Sequence, residues 1–424
     1  MNNFRLFLIL WAGDFTANIA SGLTAFALGI YVFEMTGKAT SVALAILFAF
    51  LPAMILNPLS GVLADRFDRR LLIILGDGCS AIGILFIFLC ILTGNINEWQ
   101  IYAGVGLSSI FIALIEPAYK ATITDLLTKE QFAKASGLVQ VAGSAKYLLS
   151  PFIAGFLLTI TDISIILMID ISTIIITIPV TMLIKKRIVS IKIKHDKHGL
   201  INEFSNGLQI IYSSKGLFLL IFVISAVTFF MGVLQTLYTP LILALTDAKT
   251  LGVIQSISAS GMLISSLLLG VFTITRKYVK QLVIFLISAG IFIALLGLTP
   301  IIFIIAASGF LFFACLPFIN TSADVLIRTN IPKEKQGRVW GCVGTLSQLG
   351  YLLAYAVSGL LADFIFNPML TENGILALTV GRVTGVGNGR GIGLMLIISG
   401  FMLVITAVVI GKLRYIRTLE KGIL

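Results

Sequence analysis

Residues 61–70 read GVLADRFDRR and lie between two long apolar segments of the chain. Gly61 allows two helices to approach closely because it has no side chain. Asp65 can cap the next helix or face a helix N-terminus. The arginines of the stretch can anchor one face of a membrane and pair with an acidic residue. These arginines are Arg66, Arg69 and Arg70, and the acidic partners within the sequence are Asp125 and Glu130. We interpret the stretch as a charged turn between two membrane helices.

The composition of the whole chain supports this interpretation. Of the 424 residues, 58% are hydrophobic and 12% are charged, and the mean hydropathy is +1.06. A soluble domain is about half apolar and about one quarter charged, whereas one membrane span needs about 20 apolar residues. We therefore predict an all-α integral membrane protein with about twelve transmembrane helices. The predicted segments are 5–33, 40–64, 70–93, 99–127, 131–160, 163–185, 215–246, 249–275, 279–299, 301–331, 334–366 and 391–414.

Positive charge is distributed unevenly over the loops. The net charge of +11 does not indicate a nucleic-acid partner, because the basic residues lie in short loops between apolar segments. If the loop after the second segment is cytoplasmic, four of the 30 Lys and Arg residues lie outside and two lie within spans, which leaves 24 inside. By the positive-inside rule, we predict a multi-pass protein of the bacterial inner or plasma membrane with both termini in the cytoplasm.

The two halves of the sequence are related. LTKEQFAKASGL at 127–138 aligns with IPKEKQGRVWGC at 331–342 at an offset of 204, and the same offset aligns Gly155 with Gly359. Parallel internal repeats of this kind are common in secondary transporters. We predict an N-terminal six-helix bundle at 1–185, a cytoplasmic linker at 186–214 and a C-terminal six-helix bundle at 215–424. An amphipathic helix on the membrane surface is plausible within the basic linker.

The motif G-x-L-A-D-R-x-x-R-R at 61–70 resembles the signature loop of the major facilitator superfamily. The stretches 116–137, 150–155, 336–341 and 385–394 are similar to the macrolide-efflux branch of that superfamily. The resemblance implies the major facilitator fold, with two six-helix halves that alternate access to a central cavity. It also implies a gating role for the signature loop, a small-molecule substrate, a surrounding lipid bilayer and a monomeric protein.

Two helices carry further features of this resemblance. SPFIAG at 150–155 resembles the drug-antiporter motif of helix 5, with Ser150 at a position where glycine is usual. In that motif Pro151 and Gly155 shape a tightly packed helix that limits leak, although an ordinary helix kink explains the same residues. The drug–proton antiporters usually carry an arginine within helix 4, and Ser108 stands near that position here. This difference leaves the usual proton-coupling scheme open.

Charged residues inside the predicted spans are candidates for function, because each costs roughly 2.5–3.5 kcal/mol at mid-bilayer. Asp14 lies about nine residues into helix 1, roughly 14 Å deep at 1.5 Å per residue. Lys146 lies near the middle of helix 5, which neighbours helix 1 in the resembled fold. We predict an Asp14–Lys146 pair that either couples transport to protons or serves as a buried structural ion pair. For Asp77 and Asp170 we favour packing roles at helix interfaces.

A second charged set lies on helices 4 and 10. Glu116 and Lys120 are one turn apart, as are Asp324 and Arg328. At the offset of 204, Lys120 coincides with Asp324, and helices 4 and 10 face each other in the resembled fold. The two residues can therefore form a cytoplasmic gate, or each can pair locally with its neighbour four residues away. The sequence leaves both alternatives open.

These features favour a transporter over an enzyme or a channel. We predict a secondary active exporter of amphipathic small molecules such as macrolides, driven by a proton gradient. The alternative is a transporter of the same fold for a siderophore, peptide, lysolipid or metabolite. No Walker A motif is present in the sequence, and no cofactor is expected. The two histidines, His195 and His198, lie in the polar linker. We therefore predict no catalytic site and no metal site.

Overall fold

The computed structural model describes residues 3–187, 208–271, 277–331 and 336–421. Within these ranges the regular elements are helical and no strand occurs. Twelve of the helices are long and apolar enough to cross a membrane by length and composition. The predicted fold class, an all-α membrane protein of about twelve spanning helices, is thereby confirmed.

The first six spans are long apolar helices joined by short polar turns. Their starts are set by residues that can accept hydrogen bonds from free backbone N–H groups. Asp68, for example, accepts a hydrogen bond of 3.0 Å from the backbone N–H of Arg70 at the start of the third span. The bounds are α1 Asn3–Thr36, α2 Ala39–Arg66, α3 Arg69–Leu92, α4 Glu98–Leu126, α5 Phe132–Ile160, and a sixth span in two pieces, α6a Ile163–Ser172 and α6b Ile174–Arg187.

The other six spans follow the same pattern. A π-helical turn, Ala362–Phe366, extends the eleventh span. A glycine-rich turn precedes the twelfth. Gly385, Gly387 and Gly389 have positive φ there, which explains the first three glycines of GVGNGRG. The bounds are α7 Lys215–Leu243, α8 Ala248–Val271, α9 Tyr278–Leu298, α10 Ile302–Thr329, α11 Gln336–Leu361 and α12 Arg390–Lys412.

The described chain divides into two compact units. Unit 1 contains the residues up to 187, except 38–43, together with 247–253. Unit 2 contains 38–43, 208–246 and the residues from 254 onward. The first residues of α2 therefore pack with unit 2, and those of α8 pack with unit 1. Of the predicted linker, residues 188–207 lie outside the described residues, so the prediction of an amphipathic helix there stays a prediction; residues 208–213 are helical.

A buried apolar cluster anchors one end of unit 1. It combines side chains from α1, α2, α3, α4 and α5, including Phe7, which is fully buried. Higher in the same unit, α3 and α4 approach so closely that a side chain on Gly83 would collide with the carbonyl oxygen of Gly104. Such backbone contacts between small residues are the usual packing of membrane helices. Tyr119 of α4 also belongs to this cluster.

Candidate functional site

The signature stretch forms a charged turn between α2 and α3. Asp125, in the last turn of α4, accepts hydrogen bonds from Arg69 at 2.5 Å and from Arg70 at 3.2 Å. Arg69 also donates to the carbonyl oxygen of Ala121 at 3.2 Å. The side chain of Arg70 is only 1% exposed. Of the two acidic partners within the sequence, the structure therefore selects Asp125.

The roles of the other signature residues differ from the predictions. The N-cap of α3 is Asp68 and not Asp65, which still lies within the last turn of α2. The side chain of Asp65 lies outside the described residues, so its placement near another helix N-terminus stays a prediction. No described atom would lie within 4 Å of a side chain on Gly61, so the close helix contact expected there does not occur in this structure. Arg66 is exposed.

A small cavity inside unit 1 is the centre of the candidate site. Its volume of about 20 Å³ is enough for roughly one water molecule. Four spans contribute to its wall, and five of the lining side chains are polar. They are Asp14 of α1, Asp77 of α3, Tyr119 of α4, and Thr177 and Thr181 of α6b. The Thr181 hydroxyl donates to the Thr177 carbonyl oxygen at 2.8 Å, which leaves two carboxyl groups and the hydroxyl groups of Tyr119 and Thr177 together within the membrane-spanning part of the unit.

The predicted direct ion pair between Asp14 and Lys146 is not formed in the structure. The Lys146 ammonium group donates to the Ser21 hydroxyl at 3.4 Å. It lies within electrostatic range of Asp170 and, more weakly, of Asp14. Asp14 in turn interacts more strongly with Asp77 than with Lys146. Asp14 and Lys146 are therefore not an isolated pair. They belong to a group of four charged residues that also contains Asp77 and Asp170.

Three buried hydroxyl groups accompany these carboxyl groups. Tyr119 lies beside Asp14, Thr177 beside Asp77, and Thr24 beside Asp170. None of the three hydroxyl groups meets the distance and angle limits of a hydrogen bond in the described structure, although each lies within reach of its neighbouring carboxyl group. Sequence reasoning missed all three residues. A usable signal existed for Thr177, because it follows Asp170 by seven residues and helical periodicity places both on one face of the sixth span.

The charged residues of α4 and α10 pair locally. Lys120 contacts Glu116 at 2.6 Å, and Arg328 contacts Asp324 at 2.7 Å. All four side chains are at least 40% exposed. This is the local alternative that the sequence had left open. A gate between Lys120 and Asp324 stays a prediction.

The helix 5 motif makes close contacts with the first turns of α8 inside unit 1. A side chain on Gly155 would lie 2.8 Å from the carbonyl oxygen of Ala248, and the Pro151 carbonyl oxygen blocks any side chain on Gly252. Ser150, fully buried, donates a hydrogen bond of 2.9 Å to the Ile19 carbonyl oxygen on α1. The motif therefore acts as a packing surface of α5 in this structure.

The position without the usual arginine is also a packing position. Ser108 is 4% exposed and lies against Gly83 at the contact between α3 and α4. A long charged side chain has no room there. Among the described residues, no three Asp, Glu, His or Cys side chains are grouped so as to hold a metal ion. His195 and His198 lie outside the described residues.

Comparison with known sequences gives consistent results over most of the chain. The family model described as Major Facilitator Superfamily matches residues 10–355. Macrolide efflux protein A of Streptococcus pyogenes is 27% identical over 401 residues, which cover 90% of this chain and 96% of that protein. Macrolide efflux protein A of Enterococcus faecalis is 26% identical over 320 residues, which cover 72% of this chain and 95% of that protein.

Comparison with solved structures agrees on the architecture. The crystal structure of the nucleoside transporter NupG superposes with a TM-score of 0.76, covering 96% of this chain and 100% of that one. The two sequences are 13% identical. An identity this low supports the shared fold and carries no information about the substrate.

Proposed function

The chain belongs to the Major Facilitator Superfamily, and from that premise we propose that it exports amphipathic small molecules of the macrolide type. It is a multi-pass membrane transporter and not an enzyme. The proposal further holds that export proceeds by alternating access as antiport against protons, and that it confers drug resistance. Its support on the side of the substrate is the pair of macrolide efflux proteins that match this chain at 26–27% identity.

The observation that carries the coupling part of the proposal is the set of charges inside unit 1. Asp14, Asp77, Asp170 and Lys146 all belong to membrane-spanning helices and interact electrostatically with one another. Each such residue costs roughly 2.5–3.5 kcal/mol at mid-bilayer on insertion scales. Four of them in one bundle are hard to explain by packing alone, since uncharged side chains of similar size would pack without that cost.

Their arrangement suggests how a proton could change the structure. When Asp14 is ionised, it repels Asp77 on α3 and attracts Lys146 on α5. When Asp14 carries a proton, both interactions weaken, and the contacts of α1 with α3 and α5 change in strength. A proton can shift a conformational equilibrium only by such a difference between states. We therefore assign Asp14 as the first candidate for the coupling carboxyl group.

An efflux assay tests this function. The full-length protein is expressed in an efflux-deficient bacterium, and resistance to a macrolide panel is measured with and without a protonophore. We expect macrolide resistance that the protonophore abolishes. Asp14→Asn should lose proton-driven efflux, because an asparagine cannot bind and release a proton. Any efflux that remains in this variant should not depend on pH.

Asp162→Asn is the matched control. Asp162 lies at the start of α6a, outside the charged set, and its side chain makes no capping hydrogen bond. We expect this variant to keep full efflux. Unchanged efflux and unchanged pH dependence in Asp14→Asn would remove the coupling role. Absence of macrolide resistance in a correctly inserted protein would instead favour another solute, such as a siderophore, peptide, lysolipid or metabolite.

A further inference from the structure

We propose that the cavity between Asp14 and Asp77 is a sodium site, with the hydroxyl oxygens of Tyr119 and Thr177 as neutral ligands. All four side chains line this one cavity, whose volume of about 20 Å³ accommodates one small ion or water molecule. The site would deepen the proposed function by adding a second cation that competes with protons for the same carboxyl groups. Its role in transport rests on that function, while its existence as a binding site does not.

The first argument is electrostatic. Asp14 and Asp77 line the same cavity, and their carboxyl groups repel each other when both are ionised. Lys146 offsets this repulsion only in part, because it interacts more strongly with Asp170 and forms no direct salt bridge with Asp14. A cation held between the two carboxyl groups would remove the repulsion.

The second argument comes from the two hydroxyl groups. Tyr119 is 5% exposed and Thr177 is 6% exposed. Neither hydroxyl group meets the geometry of a hydrogen bond in the described protein, although Tyr119 lies beside Asp14 and Thr177 beside Asp77. A buried polar group without a well-formed hydrogen bond is costly. A water molecule would satisfy the hydroxyl groups but would leave the carboxylate charges opposed. A hard cation satisfies both, since it takes oxygen ligands of either kind.

The number of ligands favours a monovalent ion. Calcium takes 6–8 oxygen ligands and magnesium requires nearly ideal octahedral geometry. The cavity wall provides two carboxyl groups and three hydroxyl groups, of which that of Thr181 already donates to the Thr177 carbonyl oxygen. The small volume of the cavity does not accommodate several additional water molecules. Among the alkali cations, a cavity of this size favours sodium over the larger potassium ion.

A thermal unfolding experiment on the purified full-length protein tests the site without any transport. The protein in detergent is melted at fixed pH and ionic strength, in sodium chloride, potassium chloride or choline chloride. We expect sodium to raise the Tm saturably, by roughly a few degrees. Potassium should act more weakly, and choline should have no effect.

Variants connect such a rise to the proposed ligands. Asp77→Asn should abolish the sodium-dependent rise, and Tyr119→Phe, which keeps nearly the same shape, should reduce the apparent sodium affinity at least tenfold. Tyr119→Phe also provides the test if Asp77→Asn fails to fold. Asp162→Asn should keep the full rise. Identical melting curves in sodium and choline, or a rise that the variants leave unchanged, would overturn the proposal.

The outcome is separable from the test of the proposed function. Sodium binding in a protein that exports no macrolide would support the site and count against the export function. Macrolide export in a protein whose melting ignores sodium would overturn the site and leave export intact.

Discussion

Asp125, in the last turn of α4, forms ion pairs with two arginines of the signature turn. It neutralises Arg69 and Arg70, and the three side chains are at most 12% exposed. Breaking a buried pair leaves an uncompensated charge and costs about 3–5 kcal/mol. We therefore expect Asp125→Asn to lower the free energy of unfolding by about this amount, measured by denaturant or thermal unfolding in detergent.

The pair formed by Glu116 and Lys120 on the same helix is the matched control. Its side chains are 67% and 65% exposed, and solvent-exposed pairs contribute at most about 1 kcal/mol. Glu116→Gln should therefore change the free energy of unfolding little. Equal effects of the two substitutions on the free energy of unfolding would show that burial does not determine how much these ion pairs contribute to stability.

Some of this residue-scale detail could be predicted from the sequence. The arginines of a basic turn need an acidic partner, and Asp125 was one of two candidates. The sequence offered Asp65 either as the cap of the next helix or as a residue facing a helix N-terminus. The cap is Asp68, because α2 runs to Arg66, two residues beyond the predicted end, and α3 begins at Arg69. A shift of two residues at a helix end is enough to move the cap from one aspartate to the next.

At the scale of helices, the starts of α2 and α8 are capped in different ways. Asp247 caps α8 locally by accepting a hydrogen bond of 2.8 Å from the Thr250 backbone N–H, which lowers the pKa of its carboxyl group. The start of α2 instead uses Asp363, which accepts hydrogen bonds from the backbone N–H groups of Ala39 at 3.1 Å and Thr40 at 2.7 Å. The local cap could be predicted from sequence. The other could not, because its partners are more than 300 residues apart.

Removing this distant cap should destabilise the protein. Asp363→Ala leaves two backbone N–H groups and the Thr40 hydroxyl without their acceptor, and loss of an N-cap costs about 0.5–2 kcal/mol. We expect a corresponding fall in the free energy of unfolding. Thr159→Ala is the control, because Thr159 occupies the equivalent repeat position at the offset of 204 and bonds only within its own helix. A similar fall in both variants would contradict the capping role.

Replacing a glycine of α5 by alanine should have opposite effects on the Tm at two positions, one inside the helix 5 motif and one outside it. On α5, a side chain at Gly155 would press on the Ala248 carbonyl oxygen, whereas one at Gly143 would meet no described atom within 4 Å. Overpacking costs about 1–3 kcal/mol, while replacing an open helical glycine by alanine gains roughly 0.5–1 kcal/mol. Gly155→Ala should therefore lower the Tm, and Gly143→Ala should raise it. A higher Tm in both variants would show that the contact between α5 and α8 can adjust to an added methyl group without cost.

The same repeat offset explains what the two related glycines do. Gly155 packs on the first residues of α8 in unit 1, and Gly359 packs on Ala39, Thr40 and Ala43 at the start of α2 in unit 2. The alignment predicted that Gly155 and Gly359 are equivalent, but it did not indicate which helices they contact. Helix periodicity and loop charge determine spans and repeats, whereas contacts between distant helices depend on packing geometry that a single sequence does not reveal.

At the scale of the whole molecule, the two units carry different polar groups. Unit 1 holds the coupled charges Asp14, Asp77, Asp170 and Lys146, which are distributed over α1, α3, α5 and α6a. Inside unit 2, a buried hydrogen bond of 2.7 Å joins the neutral groups of Tyr238 and Ser258, and the buried Arg390 donates to the Thr384 carbonyl oxygen at 2.8 Å. The cluster of carboxyl groups with a lysine is therefore a feature of unit 1, and the proposed ion coupling is assigned to that unit.

The orientation of the chain is the prediction on which this whole-molecule interpretation depends. Loop charge places both termini and the signature turn in the cytoplasm, and an even number of spans is consistent with that. Single cysteines test it in a variant that lacks the four native cysteines. In intact cells, an impermeant maleimide should label Asn95→Cys and Thr371→Cys. It should label Phe67→Cys and Thr128→Cys only after permeabilisation. All four positions are exposed and lie in turns between spans. Labelling of Phe67→Cys in intact cells would show that the chain has the opposite orientation. The proposed direction of proton-driven transport would then also be reversed.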